Sequence, residues 1–155
     1  MLILVVVAQG IAAARQNDAF SEEQSAGDRR TLEGTWRVEI TLRNCLTGEP
    51  VQNPFPALAS FGRGGTVTTA DGGLSPAVRG TGLGVWWRVP HGAFAAVTEA
   101  FLFNGGIRTG VQRITQEIEV AAGDEEFNAS VTSEIRDVIG NVVAAGCATS
   151  IGRRM

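Results

Sequence analysis

From residue 32 onward, no stretch of this chain repeats its apolar residues at a helical period. Segments that alternate or run apolar are instead separated by turn signals, at the spacing of an all-β sandwich or barrel. Seven strands are expected, over 34–45, 56–70, 83–89, 93–104, 107–120, 125–138 and 142–154. The cleanest is "GTWRVEITLRNC". It places Trp36, Val38, Ile40 and Leu42 on one face and Arg37, Glu39, Thr41 and Arg43 on the other, the pattern of a half-buried strand. Segment 72–84, "GGLSPAVRGTGLG", reads as a Gly-rich loop, and "FGRGGT" at 61–66 as a bulged or kinked strand.

The N-terminus has a different character. Met1 to Ala14 is apolar and uncharged, ends in small residues and is too short to span a bilayer. We read 1–14 as a secretory signal, with a buried strand as the alternative, 15–31 as a flexible leader and 32–155 as one barrel domain. A formal charge of −3 and a pI near 5.2, with no Lys/Arg run, argue against a nucleic-acid partner. His91 is the single histidine, so no metal site and no cofactor are expected; it reads as a turn residue.

A one-residue slip turns every side chain of a strand to the other face, so the hairpins test one another. A three-residue turn at Pro90-His91-Gly92 sets Trp87 opposite Ala95 and Val85 opposite Val97. A two-residue Gly105-Gly106 turn sets Glu99 opposite Gln112. Continuing around, Gln112 meets Ser133, and Ser133 meets Ala148. The inner face so defined holds Val85, Trp87, Val97, Phe101, Phe103, Ile114, Ile118 and Val131, while the last strand offers only small residues before Arg154. Trp86 then points outward. Pairing the first strand with the last closes the barrel, puts Arg154 opposite Val38 and brings Cys45 beside Cys147. A disulfide there suits an oxidising compartment and, over so long a loop, stabilises by about 4 kcal/mol in the chain-entropy model.

Gly34-Thr35-Trp36 on the first strand, with a basic residue ending the last (Arg153 or Arg154, parity preferring Arg154), resembles the signature of the lipocalin (calycin) family, in which an inward Trp packs under an Arg at the barrel's closed end. The fold this resemblance implies is an antiparallel up-and-down β-barrel of eight strands; with seven counted, seven to eight are expected here, the eighth within 56–84. The function it implies is binding of a small hydrophobic molecule in the interior. The family's middle Thr-Asp motif has only "RDVIGN" at 136–141 as a counterpart.

Expected ligand-binding residues are therefore Trp87, Val97, Glu99, Phe101, Phe103, Gln112, Ile114 and Ser133. Glu99, Gln112 and Ser133, with Asn44 nearby, form a polar line inside the apolar lining. A carboxylate there must be hydrogen-bonded or titrate upward. It can anchor a ligand's polar head, act as a general acid or base, or belong to a satisfied network around a buried water. If its strand flips, Glu99 is simply solvated. Three function classes stay open: a secreted or periplasmic binder of small hydrophobic molecules, without catalysis, as the leading one; a barrel cyclase or isomerase using Glu99; and a solid-core interaction module engaging a partner through Trp86 or the 72–84 loop.

Overall fold

The computed structural model describes residues 30–155. The expected signal at 1–14 and most of the leader lie outside the described residues. Eight antiparallel strands close into one up-and-down barrel in which each strand pairs with its sequence neighbours and β1 pairs with β8. They are β1 (Gly34–Arg43), β2 (Phe55–Gly62), β3 (Thr66–Asp71), β4 (Gly82–Arg88), β5 (Phe94–Asn104), β6 (Ile107–Val120), β7 (Glu126–Asp137) and β8 (Val142–Arg154). The eighth strand comes from 56–70, expected as one strand. "FGRGGT" is a tight turn that folds it into β2 and β3, not a kink within a strand.

Up-and-down connectivity sorts the connections to two ends. The turns 63–65, 89–93 and 121–125 lie at one end, with Trp36 and Arg154. The connections 44–54, 72–81, 105–106 and 138–141 lie at the other. The first end is plugged. Trp36, Phe61, Phe94, Phe127, Leu32, Ile118 and Val120 are all almost wholly buried there. Their rings meet edge to face, Trp36 on Phe127 at 5.0 Å and Phe61 on both Trp86 and Phe127 at 6.2 Å between centroids. Edge-to-face pairs add to area burial because the ring edge is positive and its face negative.

The opening motif has a physical account at this end. The Arg154 guanidinium carbon lies 4.2 Å from the centroid of the Trp36 ring. Its nitrogens donate to the carbonyls of Asp124 (2.6 Å), Glu33 (2.6 Å) and Thr31 (3.0 Å), while Trp36 Nε1 donates to the Leu32 carbonyl at 3.0 Å. Gly34 sits at φ +130°, and a Cβ there would lie 2.5 Å from Arg154 Nη1. Glycine is thus required twice over, by backbone angle and by the cation it makes room for.

Cys45 and Cys147 form a disulfide across the β1–β8 seam, with Cα atoms 5.3 Å apart. The seam register is Trp36 opposite Arg154, not Val38 opposite Arg154. Likewise Gln112 pairs with Ile135 and Ser133 with Gly146, where Ser133 and Ala148 were expected. Each of these is a slip of two residues, so the inward faces of β1, β6, β7 and β8 stay as read.

β4 and β5 differ. Their mutual register is as expected, Val85 opposite Val97 and Trp87 opposite Ala95, but both strands are turned over. The cause is a β-bulge. Asn104 pairs with Ile107 and Phe103 with Arg108, but Leu102 pairs with Gly110, so β6 carries one extra residue and parity shifts by one. Trp86, Phe94, Ala96, Thr98 and Ala100 therefore face inward. Gly82 and Gly84 share that inner phase with Trp86, and a side chain at Gly84 would run into the Val97 carbonyl oxygen.

Candidate functional site

Away from the aromatic plug the interior changes composition. Ala57, Ala59, Ala148 and Ser150 supply small side chains, and a cavity of about 90 Å³ remains. Its walls are chiefly Val38, Ile40, Leu42, Phe55, Ile114 and Val131, with Phe127 toward the plug. Phe55 begins β2 and Asp71 ends β3, so the cavity reaches the barrel's open end.

Polar groups converge on this chamber from five strands and one loop. Arg79, in the 72–81 connection, folds inward; its side chain is only 3% exposed. Its Nη1 lies 3.0 Å from Asp71 Oδ2, and its Nε donates to Gln112 Oε1 at 2.6 Å. The loop is strapped down by the backbone: Gly80 N donates to the Phe101 carbonyl at 3.0 Å and Phe103 N to the Val78 carbonyl at 2.8 Å. Asp71 also holds the loop's start, accepting from the amides of Gly73 (3.2 Å) and Leu74 (3.3 Å). The buried charge is thus paired and hydrogen-bonded, the condition under which an arginine tolerates such burial.

Two groups break that rule. The hydroxyls of Thr69 and Thr98 are buried in the cavity wall and have no hydrogen-bond partner among the described residues. An orphaned buried hydroxyl costs about 1–3 kcal/mol, so the retention of two in a mainly apolar wall needs a reason. Gln112, with its oxygen engaged by Arg79, has amide hydrogens left to donate, and Gln116 and Ser133 line the same space.

Several expected site residues belong elsewhere. Gln112, Ile114 and Ser133 do line the cavity. Glu99 does not: it sits on the outer wall, more than half exposed, paired with Arg113 at 2.9 Å. Trp87, Val97 and Phe101 leave the lining for the same reason, the one-residue parity shift at the bulge. Trp87 is 45% and Phe101 55% exposed. Trp86, expected outside, is the inward tryptophan, and its Nε1 donates to the Gly62 carbonyl at 3.0 Å. Phe103 is half-buried against the 72–81 loop near Gly80 and is not in the cavity wall. Asn44 lies in the β1–β2 connection, where its side-chain oxygen accepts from the amides of Leu46 and Thr47.

Asp71, Thr69, Arg79, Thr98 and Gln116 were not anticipated. One signal for Thr98 was available: glycines at 82 and 84 in phase with Trp86 mark the inner face of β4, and with it that of β5. For Arg79 the sequence shows only a lone cation in a Gly-rich loop.

His91 occupies a single turn of 3-10 helix, Pro90–Gly92, at φ 64° on the plugged end. Among the described residues no cluster of His, Cys, Asp or Glu can hold a metal ion, and no helix is long and apolar enough to cross a membrane. The closed eight-stranded antiparallel barrel is consistent with a lipocalin-like fold. Comparison with family models and with curated proteins gives no match.

Proposed function

We propose that this chain is a lipocalin-like binding protein, exported to an oxidising compartment, that holds a small and mainly apolar molecule bearing a neutral oxygen function such as a hydroxyl or carbonyl. The observation that carries this reading is the pair of hydroxyls, Thr69 and Thr98, that face a mainly apolar chamber and, unlike the Arg79–Asp71–Gln112 network beside them, have no partner among the described residues. A hydroxyl can donate and accept, so the two together suit a ligand oxygen of either kind. Arg79 and Asp71 neutralise each other, which favours an uncharged head over a carboxylate or an amine. Pockets of this sort bind through apolar walls and orient through a few convergent polar groups. The chamber is smaller than the ~150 Å³ engineered cavity that accepts benzene, so it fits the head and first few carbons, with a longer body reaching toward the mouth. The disulfide supports export, since such bonds persist mainly outside reducing compartments.

A proton-transfer role assigned to Glu99 has no place in this reading, because that carboxylate lies outside the barrel in a solvated ion pair. The test is native mass spectrometry of the exported chain before and after denaturation, followed by titration with a linear alcohol such as 1-hexanol. An extra mass released on denaturation, or uptake of the alcohol that Thr98→Val weakens about tenfold, is expected. A bare mass together with no uptake overturns the proposal.

A further inference from the structure

The two ends of the barrel differ in what their connections expose. Each of the four open-end connections presents aliphatic side chains to solvent at or beside its tip: Leu46 (96% exposed) and Val51, Leu74 and Val78, Ile107, and Ile139 (81%). The three connections at the plugged end, 63–65, 89–93 and 121–125, carry one large aliphatic residue, Val89, and it is half-buried. Exposed apolar residues scattered singly, such as Leu58, Val85, Trp87 and Met155 elsewhere on the surface, mean nothing, but a set carried on every connection of one end marks a contact surface.

We infer that the open rim docks on a neutral lipid surface, the aliphatic tips dipping into it around the barrel mouth. Three observations select this occupant. The tips come from four separate connections and ring an opening, so a deformable apolar medium can receive them all, whereas a protein partner must match four points around a hole. They are Leu, Val and Ile, with no Trp, Tyr or Arg, and the anchors of protein interfaces are drawn from the latter set. The charges near the rim are balanced in sign, and apart from the exposed Glu49 they are engaged. Arg136 pairs with Glu134 at 2.8 Å, Arg43 is bonded to Thr149 Oγ1 and the Gly48 carbonyl, Arg108 lies over the Phe101 ring, and Asp137 accepts from its own turn. No basic cluster remains to attract anionic headgroups, so insertion of apolar tips is what holds the protein there.

Docking in this pose sets the cavity mouth against the lipid, where an apolar ligand would be taken up or released without crossing water. The inference does not depend on the cavity's ligand, because the tips dock an empty barrel equally well.

Hydrogen exchange of the full chain, with and without phosphatidylcholine vesicles, tests it. Vesicles are expected to slow exchange in peptides covering 44–54, 72–81 and 138–143 and to leave 63–65 and 121–125 unchanged. The double variant Leu46→Glu/Ile139→Glu, altered only at exposed tips, is expected to reduce vesicle co-sedimentation at least about tenfold while keeping the wild-type melting temperature. Unchanged exchange at the rim overturns the inference. So does protection confined to residues 1–29 or to the plugged end, or a double variant that sediments like the wild type.

Discussion

The plugged and open halves of this barrel are made by the same eight strands, yet they obey opposite rules. At the plugged end, among the described residues, no buried polar side chain is left without a partner. Arg154 spends its donors on three backbone carbonyls, Trp36 reaches Leu32, and rings fill the remaining space edge to face. Toward the open end small Ala and Ser side chains stand among the aliphatic walls, a cation is drawn inside, and two hydroxyls have no partner among the described residues. One half holds the fold together; the other accepts a local cost where a ligand can recover it.

This contrast can be broken most forcefully at the plug. Trp36→Ala removes a fully buried ring together with the surface that Arg154 covers, and is expected to lower the unfolding free energy by about 3–5 kcal/mol. Equilibrium denaturation in urea measures it; a loss below about 1 kcal/mol would show that the plug is not what stabilises the barrel. At the cavity the sign should reverse. Thr98→Val removes an orphaned hydroxyl without opening a void, so stability is expected to rise by about 1 kcal/mol even as ligand retention falls. A destabilised Thr98→Val protein would mean that the hydroxyl is satisfied after all.

The smallest effect concerns acid at the open rim. Desolvation pushes the Asp137 carboxyl upward, but the amide and side chain of Asn141 and the amides of Ile139 and Gly140 outweigh it, holding the group below the ordinary carboxylate range. A depressed folded-state value contributes stability above the unfolded-state value, near pH 3.9, and loses it as pH falls through the folded one. The Ile139 and Asn141 amides are therefore expected to lose their exchange protection below about pH 4, before the plugged end responds. Amide exchange followed by NMR across that range reads it directly; protection that persists below pH 2 would remove Asp137 from the turn.

How far the sequence disclosed this architecture depended on what the outer face of each strand carries. On β1 the outer residues Arg37, Glu39, Thr41 and Arg43 are unmistakably polar, so the strand, its inward Trp36 and its closure against β8 were all legible. Shifts of two residues at three seams did no harm, because the pleat repeats every two. On β4 and β5 both faces are apolar, with Leu83, Val85 and Trp87 on one side and Trp86 and Phe94 on the other. Periodicity cannot choose between such faces, and a single extra residue at the Leu102/Phe103 bulge decided the matter. That residue moved Glu99 to solvent and Thr98 into the cavity. Arg79 was illegible for another reason: a loop residue acquires its role only when tertiary contacts fold it over the mouth, and the Asp71 that receives it lies at the end of a strand hidden in a longer apolar run.

The disulfide has a mechanical consequence. Both the seam's first residues and the last residue of β8 lie at the same end of the barrel, so a pull on Arg30 and Met155 loads the β1–β8 ladder from its edge and tends to unzip it. The zip runs only as far as the bond between Cys45 and Cys147. Residues 30–45 and 147–155 can pay out, a length of roughly 80 Å when fully stretched. The remaining six strands then sit inside a covalent ring that carries no tension, and the barrel behaves as a tether with a fixed stop.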